Sequence, residues 1–416
     1  MDQSKTHCVV IGAGIVGASC AWHLQRKGLQ VTLVDFELPG QSTSSGNAAC
    51  LATSSVIPFS YPGMIKKIPG WMLDPLGPMR IRPLDFPALL PWFWKFWRAG
   101  NMQKVESISE AQSLLMKSVS ADYDEILNAT DSAHLRRSRG AIHIYDTEKE
   151  YRADNWQVEL RKRLGFEQQR LSETELKAMA PCLKLGKGVA ILMPGWHHLL
   201  DPAEVTARIA EDGFANGNEW IQDRVTTVAA DKTGVRLQTE SGRSIEADKL
   251  VVAAGAWSNS IAEQLDCKVP MIAKRGYHSM IANPGIDLHY PIMSLSRVFV
   301  MTPLRDGLRV AGTAEFAALD AAPDYRRAKV LLKHASHYLD GLQLDGVTEW
   351  MGQRPMMADS MPVISASPQH DNVFYAFGHG HYGITQGPTT GRIIADMVIG
   401  NKPSIDVSPF RFERFS

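Results

Sequence analysis

HCVVIGAGIVGASCAWHLQRKGLQVTLVD, residues 7–35, is the part of the chain that decides the fold. A short apolar run is followed by Gly12, Gly14 and Gly17 in the spacing G-x-G-x-x-G, and a second apolar run ends at Asp35. This order predicts a strand, a helix and a parallel second strand. The glycines permit a tight turn, the approach of backbone to a pyrophosphate and close packing of helix on strand. The sequence therefore predicts a β-α-β unit that binds a dinucleotide.

Asp35 indicates which dinucleotide is bound. It lies about 20 residues beyond the glycines, at the end of the second predicted strand. A carboxylate in this place accepts a hydrogen bond from a ribose 2′-hydroxyl and repels a 2′-phosphate. We expect the pyrophosphate to meet free N–H groups at the N-terminus of the helix. The sequence thus argues against an NADP site.

Composition excludes several classes of protein. The chain has 416 residues, which is long for one hydrophobic core and predicts two or three domains. Lys and Arg total 44, as do Asp and Glu, so no basic excess indicates a nucleic-acid partner. The five cysteines form no C-x-x-C pair and predict neither disulfides nor a metal site. No secretory signal or membrane-spanning run is recognisable, and we expect a cytoplasmic protein.

The remaining elements indicate two kinds of sheet. Leu250–Ala253 and Val373–Phe377 have the apolar runs of buried strands, whereas strand signals at 140–145, 188–193 and 274–313 favour an antiparallel sheet. Two helices are predicted between residues 148 and 181. The predicted fold class is α/β, α+β overall, with a Rossmann-like dinucleotide-binding domain and a discontinuous substrate domain on a largely antiparallel sheet. The predicted boundaries give residues 1–85, 196–270 and 345–416 to the first domain and residues 86–195 and 271–344 to the second.

An aromatic segment, PALLPWFWKFWR at residues 87–98, allows two interpretations. Three tryptophans at helical spacing are typical of a helix packed inside a second domain. The same tryptophans beside Lys95 and Arg98 are also typical of a patch that contacts a membrane surface. Position in the sequence does not decide between them.

Three further stretches identify a family. They are VVAAGAWS at 251–258, GQRPMMADSMPVIS at 352–365 and NVFYAFGHGHYGITQGPTTGRIIADMV at 372–398. Together with the N-terminal glycines, they make the chain resemble the FAD-dependent superfamily of D-amino-acid oxidase, glycine oxidase and sarcosine oxidase. LRVAGTAEF at 308–316 and the aromatic segment most resemble bacterial D-amino-acid dehydrogenase.

The resemblance implies FAD as cofactor and assigns its contacts. No cysteine or histidine stands at the usual attachment positions, so we expect noncovalent FAD. The residues predicted to bind it are Gly12, Gly14, Ile15, Val16, Gly17, Asp35, Phe36, Ser44, Ser45, Gly46, Asn47, Ala48, Val225, Ala254, Gly255, Trp257, Gly380, Gly383, Ile384 and Thr385.

Three residues are predicted to serve catalysis. Arg354, in G-x-R-P, matches the arginine that pairs with the substrate carboxylate in glycine oxidase-like members; an ion pair within the protein is the alternative. His381 and Tyr382 follow in GHGHYG, where His381 matches an active-site position of relatives. A histidine there could accept a proton, donate a hydrogen bond or only pack.

The chain also departs from its relatives. Val298–Val300 stands where glycine oxidases carry an active-site tyrosine, which leaves Tyr277 and His278 as weaker pocket candidates. Arg309 stands near the place where sarcosine oxidases carry a lysine that assists reaction with oxygen. This difference favours a dehydrogenase.

The expected function is oxidation of a D-amino acid, cyclic ones such as D-proline or 4-hydroxy-D-proline included. Hydride would pass from Cα to flavin N5, and electrons would pass on to a quinone or another carrier. If the aromatic segment binds a membrane, this transfer would take place at the inner face of the cell membrane. One alternative is an oxygen-using oxidase of glycine, sarcosine or another N-alkyl amino acid. Another is a flavin-binding subunit that is inactive on its own.

Overall fold

The computed structural model describes residues 5–64, 68, 70, 71, 74 and 77–415. Its α-helices are α1 (Ile15–Arg26), α2 (Phe86–Ala99), α3 (Met102–Ala129), α4 (Glu148–Ala153), α5 (Asn155–Arg163), α6 (Glu173–Met179), α7 (Pro202–Ala215), α8 (Ser258–Gln264), α9 (Arg326–Tyr338) and α10 (Gly383–Val398). Within this described part, no helix combines the length and the apolar composition needed to cross a membrane.

The strands fall into four sheets. They are β1 (His7–Ile11), β2 (Gln30–Asp35), β3 (Cys50–Leu51), β4 (Met79–Ile81), β5 (Arg136–Arg137), β6 (Ala141–Tyr145), β7 (Gln169–Arg170), β8 (Val189–Met193), β9 (His197–Leu199), β10 (Glu219–Gln222), β11 (Val225–Asp231), β12 (Gly234–Thr239), β13 (Ser244–Ala247), β14 (Lys249–Val252), β15 (Met271–Asn283), β16 (Ile292–Ser294), β17 (Phe299–Leu304), β18 (Gly307–Phe316), β19 (Asp345–Met357), β20 (Val363–Ala366) and β21 (Val373–Phe377). Two of the sheets, β11-β12-β13 and β3-β9-β5, are small.

The first large sheet has six strands in the order β10-β2-β1-β14-β21-β20. All neighbours are parallel except β20, which runs antiparallel to β21. Its central strands are apolar and almost wholly buried, as parallel strands covered on both faces must be. The carboxyl ends of β1, β2, β14 and β21 therefore meet at one edge, which is where doubly wound sheets bind ligands.

The second large sheet has nine strands, eight of them in the order β19-β15-β18-β17-β16-β6-β8-β7, with β4 beside β18. It is antiparallel except where β16 meets β6 and β4 meets β18. The prediction of a Rossmann-like sheet with a largely antiparallel second sheet is confirmed. The domain boundaries stay a prediction; β4 and β19 join the nine-stranded sheet although residues 1–85 and 345–416 were assigned to the dinucleotide-binding domain.

One element count was wrong. Three helices, α4, α5 and α6, replace the two predicted between residues 148 and 181. Asp154 separates α4 from α5. A capping box begins α4, formed by Thr147 and Glu150, and another begins α6, formed by Ser172 and Glu175. Such boxes satisfy backbone N–H groups locally and favour new helix starts.

Helices α1 and α10 cover the six-stranded sheet side by side. A Cβ atom at Gly391 would lie 2.6 Å from the carbonyl carbon of Ser19, and one at Gly387 would lie 2.9 Å from Ile15. The glycines thus let the two backbones approach closely. Because α1 begins after Gly14 and α10 begins at Gly383, both helices start near the same edge of the sheet.

Candidate functional site

A cavity of about 770 Å³ extends from the carboxyl edge of the six-stranded sheet to one face of the nine-stranded sheet. This volume is within the range of cofactor and ligand sites. Its walls include residues that follow β1, β2, β14 and β21 at one end, and residues of β15, β17, β18 and β19 at the other. The cavity therefore joins the predicted dinucleotide-binding edge to the predicted substrate sheet.

Gly12 and Gly17 form the turn that opens the dinucleotide end. Gly12 has a φ of +107°, and a Cβ atom there would lie 2.4 Å from the carbonyl oxygen of Ala253. A Cβ atom at Gly17 would lie 1.8 Å from the carbonyl oxygen of Gly12. Both positions therefore require glycine, for backbone conformation and for helix–strand contact respectively.

The start of α1 is open to a ligand. Its N-cap residue, Gly14, offers no side-chain cap, and Ser44 Oγ accepts a hydrogen bond from the Ile15 N–H at 2.9 Å. A Cβ atom at Gly14 would crowd Ser44 Oγ at 3.1 Å. This cradle of small residues at a helix N-terminus fits the pyrophosphate of FAD.

Asp35 is held at the end of β2. Its Oδ2 accepts from the Ala13 N–H at 2.6 Å and its Oδ1 accepts from the Glu37 N–H at 3.2 Å. Burial raises the pKa of Asp35, while these backbone donors oppose that rise. A carboxylate has lone pairs beyond these two bonds, so the fixed side chain fits a ribose hydroxyl.

An aromatic and basic group surrounds Phe36 at this end. Its ring lies 5.5 Å from the ring of Trp257, and the Arg224 guanidinium lies 4.0 Å from its centroid. Val225 and Gly255 line the cavity beside them. Flat and apolar surfaces of this kind fit an adenine ring.

Most of the residues predicted from the sequence line the cavity. They are Gly12, Gly14, Ile15, Val16, Asp35, Phe36, Ser44, Gly46, Asn47, Ala48, Val225, Ala254, Gly255, Trp257, Arg354, Gly380, His381, Tyr382, Gly383 and Ile384. Three of the predicted residues lie behind this lining: Gly17, Ser45 and Thr385. Gly17 packs on Gly12. The Ser45 hydroxyl donates to Ser42 O at 2.8 Å, and Thr385 Oγ1 accepts from the Ala52 N–H at 3.1 Å. These three support the wall instead of facing the cavity.

Arg354 projects from β19 into the far end of the cavity. Its guanidinium lies over Gly276 of the neighbouring strand, where a Cβ atom would be 1.9 Å from Arg354 Cζ. Its Nη1 donates to Thr313 O at 3.1 Å. Burial lowers the pKa of Arg354 to about 10. The side chain remains a cation, and the described residues engage one of its N–H donors, which leaves the fork available for a carboxylate ligand.

His381 and Tyr382 precede α10 and pack on Phe59. The Phe59 ring lies 4.3 Å from the His381 ring and 5.8 Å from the Tyr382 ring. Burial, followed by the charges of Lys274 and Arg354, lowers the pKa of His381 well below its usual range. His381 is therefore neutral, and its buried Nδ1 has no hydrogen-bond partner among the described residues.

Lys274 is a cavity residue that the sequence reasoning missed. It is 5% exposed, and its ammonium lies 4.7 Å from the centroid of Phe59. Burial, followed by the charge of Arg354, lowers its pKa well below the usual range. Arg161 and Trp350 also line the cavity and were not predicted. The one signal available was the position of Lys274 in KRG, within a predicted strand.

The weaker candidates lie outside the cavity lining. Tyr277 donates its hydroxyl to Glu315, and His278 stacks on Trp350 with ring centroids 5.1 Å apart. Arg309 donates to the carbonyl oxygens of Ser45 and Asn47 at 2.8 and 2.7 Å, so it fastens the loop that follows β2. Arg309 therefore supplies no free cation to the cavity.

Comparison with known proteins agrees with this geometry. Residues 7–397 match the family of FAD-dependent oxidoreductases. The chain is 34% identical to D-amino-acid oxidase of Bradyrhizobium diazoefficiens over 98% of this chain and 99% of that protein. It is 30% identical to D-amino acid dehydrogenase of Paramagnetospirillum magneticum over 98% of each. Glycine oxidase from Geobacillus kaustophilus has the same fold, with a TM-score of 0.75 at 21% identity over 98% of each chain.

The family match confirms what the sequence motifs indicated about cofactor and fold. The glycine cradle, the fixed Asp35 and the edge where β1, β14 and β21 end are the features that such a cofactor requires. The chain belongs to the FAD-dependent oxidoreductases that include D-amino-acid oxidase, and FAD is its cofactor.

Proposed function

We propose that the protein oxidises a D-amino acid at the Cα–N bond, cyclic substrates such as D-proline and 4-hydroxy-D-proline included. The observation that supports this most is the position of the Arg354 guanidinium. It lines the far end of the FAD cavity, and among the described residues its hydrogen bond is to Thr313 O. Relatives with nearly full-length matches are named D-amino-acid oxidase and D-amino acid dehydrogenase, which supports this substrate class.

The residues of the chain would act mainly by positioning. Arg354 would bind the α-carboxylate through a bidentate pair and so fix the orientation of Cα. Neutral His381 would accept a hydrogen bond from the substrate's amino group through its unpartnered ring nitrogen. Phe59 and Tyr382 would exclude water from the same end of the cavity. Bound FAD supplies the two-electron acceptor for the Cα hydride.

Arg354→Lys and Arg354→Ala test the proposal. Lysine keeps a charge but loses the planar fork, and alanine loses both, so substrate capture should fall in that order. The measurement is the substrate concentration that half-saturates anaerobic flavin reduction, with FAD content as the folding control. An alanine variant that keeps the original half-saturation would show that another group holds the carboxylate.

Anaerobic reduction also separates the two classes of function. If no D-amino acid, glycine or sarcosine bleaches the flavin of the purified chain, the protein is a flavin-binding subunit and not an enzyme by itself. Bleaching by glycine or sarcosine in preference to D-amino acids would favour the N-alkyl amino acid alternative. Bleaching by D-amino acids supports the main proposal.

The proposed electron acceptor is a quinone or another carrier. Arg309 stands near the place where sarcosine oxidase-like members carry a lysine, and it donates hydrogen bonds to Ser45 O and Asn47 O. The relative named an oxidase favours oxygen as the second candidate. Stopped-flow reoxidation decides between them: fast reoxidation by a soluble quinone and slow reoxidation by air supports the carrier, and stoichiometric peroxide supports the oxidase.

The exposed apolar face of helix α2 supports contact with a membrane surface, where a quinone acceptor would be dissolved. Phe86, Leu90, Trp94 and Trp97 recur at helical spacing and are 43, 50, 57 and 51% exposed. Exposed Lys95 and Arg98 accompany this apolar face and suit anionic lipid headgroups. Phe93 and Phe96 of the same helix line the cavity. We therefore include peripheral contact with an anionic membrane in the proposed function.

A further inference from the structure

Two basic side chains stand at opposite positions of neighbouring strands at the substrate end of the cavity. Lys274 of β15 and Arg354 of β19 are direct partners in the antiparallel register, and both line the cavity. Residues directly opposite on such a pair have Cβ atoms about 4.5–5.5 Å apart on one face of the sheet. Like charges in this relation are destabilising. A negative charge bound between them would therefore favour the protonated form of both side chains.

The described part of the chain does not supply that charge. The carboxylates among the described lining residues are those of Asp35, Asp154 and Asp223. Asp35 binds the Ala13 N–H, Asp223 accepts from the Ser241 hydroxyl, and Asp154 precedes α5, where its charge acts on Arg161. No carboxylate of these residues contributes to the pKa of Lys274 or of Arg354.

The two charged groups lean apart along the strands. The Arg354 guanidinium lies over Gly276, two residues beyond Lys274 on β15. The Lys274 ammonium lies against Phe59, whose N–H donates to Ser360 Oγ beyond the opposite end of β19. Positions two residues apart on a strand are about 6.6 Å apart. One carboxylate bound by the Arg354 fork would therefore leave Lys274 for a second anionic group.

We infer that the preferred substrate carries two carboxylates, with Arg354 binding the α-carboxylate and Lys274 binding the carboxylate of the side chain. This inference rests on the proposed function and names its substrate class: acidic D-amino acids. The contact of the Lys274 ammonium with Phe59 offsets part of the cost of burying the charge, since an aromatic face attracts cations. A carboxylate would offset much more, because a charge-assisted hydrogen bond is stronger.

A doubly anionic ligand would oppose the two effects that lower the pKa of Lys274. Burial lowers the pKa of Lys274 well below its usual range, and the positive charge of Arg354 lowers it further. A carboxylate beside the ammonium would act in the opposite direction and favour its protonated form. The same carboxylate would reduce the repulsion between Lys274 and Arg354.

Binding of non-oxidisable acids tests the inference without turnover. Glutarate and pentanoate have the same number of carbon atoms and differ in one carboxylate. Calorimetric titration of the FAD-loaded protein should show glutarate binding about tenfold or more tightly than pentanoate. Lys274→Met should abolish this ratio, whereas Lys268→Met, at a position exposed on the surface, should preserve it. Equal affinities for the two acids in the unaltered protein would overturn the inference whatever the variant does.

Oxidation of D-glutamate and D-glutamine supplies the second readout. The unaltered enzyme should favour D-glutamate in the half-saturation of anaerobic flavin reduction, and Lys274→Met should remove the preference. If Lys274→Met weakened half-saturation by D-glutamate and by D-glutamine equally, Lys274 would bind the same carboxylate as Arg354. That result would refute the inference. Reduction by both substrates without preference also refutes it, and leaves the proposed function standing. Lys274-dependent glutarate binding with no reduction by any amino acid would refute the proposed function instead.

Discussion

Gly276→Ala should weaken substrate binding without removing any charged or polar group. A methyl group at this position would lie 1.9 Å from Arg354 Cζ, 2.1 Å from its Nη2 and 2.2 Å from its Nη1. Ordinary contact requires about 3.5 Å, so the guanidinium must move by roughly 1.5 Å or more. Because the obstructing atoms are the end of a flexible side chain, the protein should fold and keep its FAD.

The displacement should cost the hydrogen bonds that Arg354 forms. Its contact with Thr313 O, at 3.1 Å, would be broken, and the fork would no longer be aligned with a substrate carboxylate. A hydrogen bond to a charged group contributes about 1.5–3 kcal/mol, which corresponds to roughly 10- to 150-fold in affinity. We expect the half-saturation of anaerobic flavin reduction to rise by a factor within this range.

The assay compares Gly276→Ala with Gly70→Ala. A Cβ atom at Gly70 would meet no heavy atom of the described residues within 4 Å and the position has no left-handed φ, so this variant should behave as the unaltered protein. FAD content and melting temperature are measured for both. A Gly276→Ala enzyme with unchanged half-saturation would show that the position of the Arg354 guanidinium does not govern substrate capture.

Four further outcomes are expected. Gly12→Ala should lose FAD, because its Cβ would lie 2.4 Å from Ala253 O, and FAD retained at full stoichiometry would contradict the cradle; in the unaltered protein, acid or heat should release FAD from the polypeptide. Burial lowers the pKa of His143 to about 3, so its contribution to stability is lost as pH falls from about 6.5 towards 3. His143→Phe should therefore reduce the pH slope of the unfolding free energy in this window by about 1.4 kcal/mol per pH unit, and an unchanged slope would mean that His143 is protonated in the folded state. Replacing Trp94 and Trp97 together by serine should lower co-sedimentation with anionic vesicles, and equal sedimentation would remove the membrane proposal.

The sequence was sufficient for elements whose pattern is local. β1, β14 and β21 are short apolar runs, so they were predicted as buried strands from their own residues. Gly12, Gly17 and Asp35 stand at spacings that this β-α-β unit requires, and the contacts of Gly17 with Gly12 and of Asp35 with the Ala13 N–H lie within that unit. Arg354 and His381 could be predicted only through resemblance to relatives.

Lys274 could not be predicted because its environment is created by pairing at a distance. In sequence it is one lysine beside an arginine in a strand of mixed polarity. Its burial depends on the register that places it opposite Arg354, 80 residues later, and on Phe59, which arrives from the loop region before β4. A strand was predicted from residue 274 and is present as β15. Which of its side chains face the cavity is determined by segments that are distant in sequence.

The interleaving of distant strands in the six-stranded sheet delays the moment at which FAD can bind during synthesis. β1 lies between β2 and β14, and β14 lies between β1 and β21, so the cofactor edge is incomplete until residues 373–377 have left the ribosome. Because translation adds about 5–20 residues per second, on the order of 20 to 70 s separate the synthesis of β1 from that of β21. During this time the apolar strands and the open start of α1 are exposed to chaperones and proteases. FAD would therefore bind only to a nearly complete polypeptide. A chain that ended before residue 373 would carry the nucleotide-binding motif but would lack the strand that completes the binding edge.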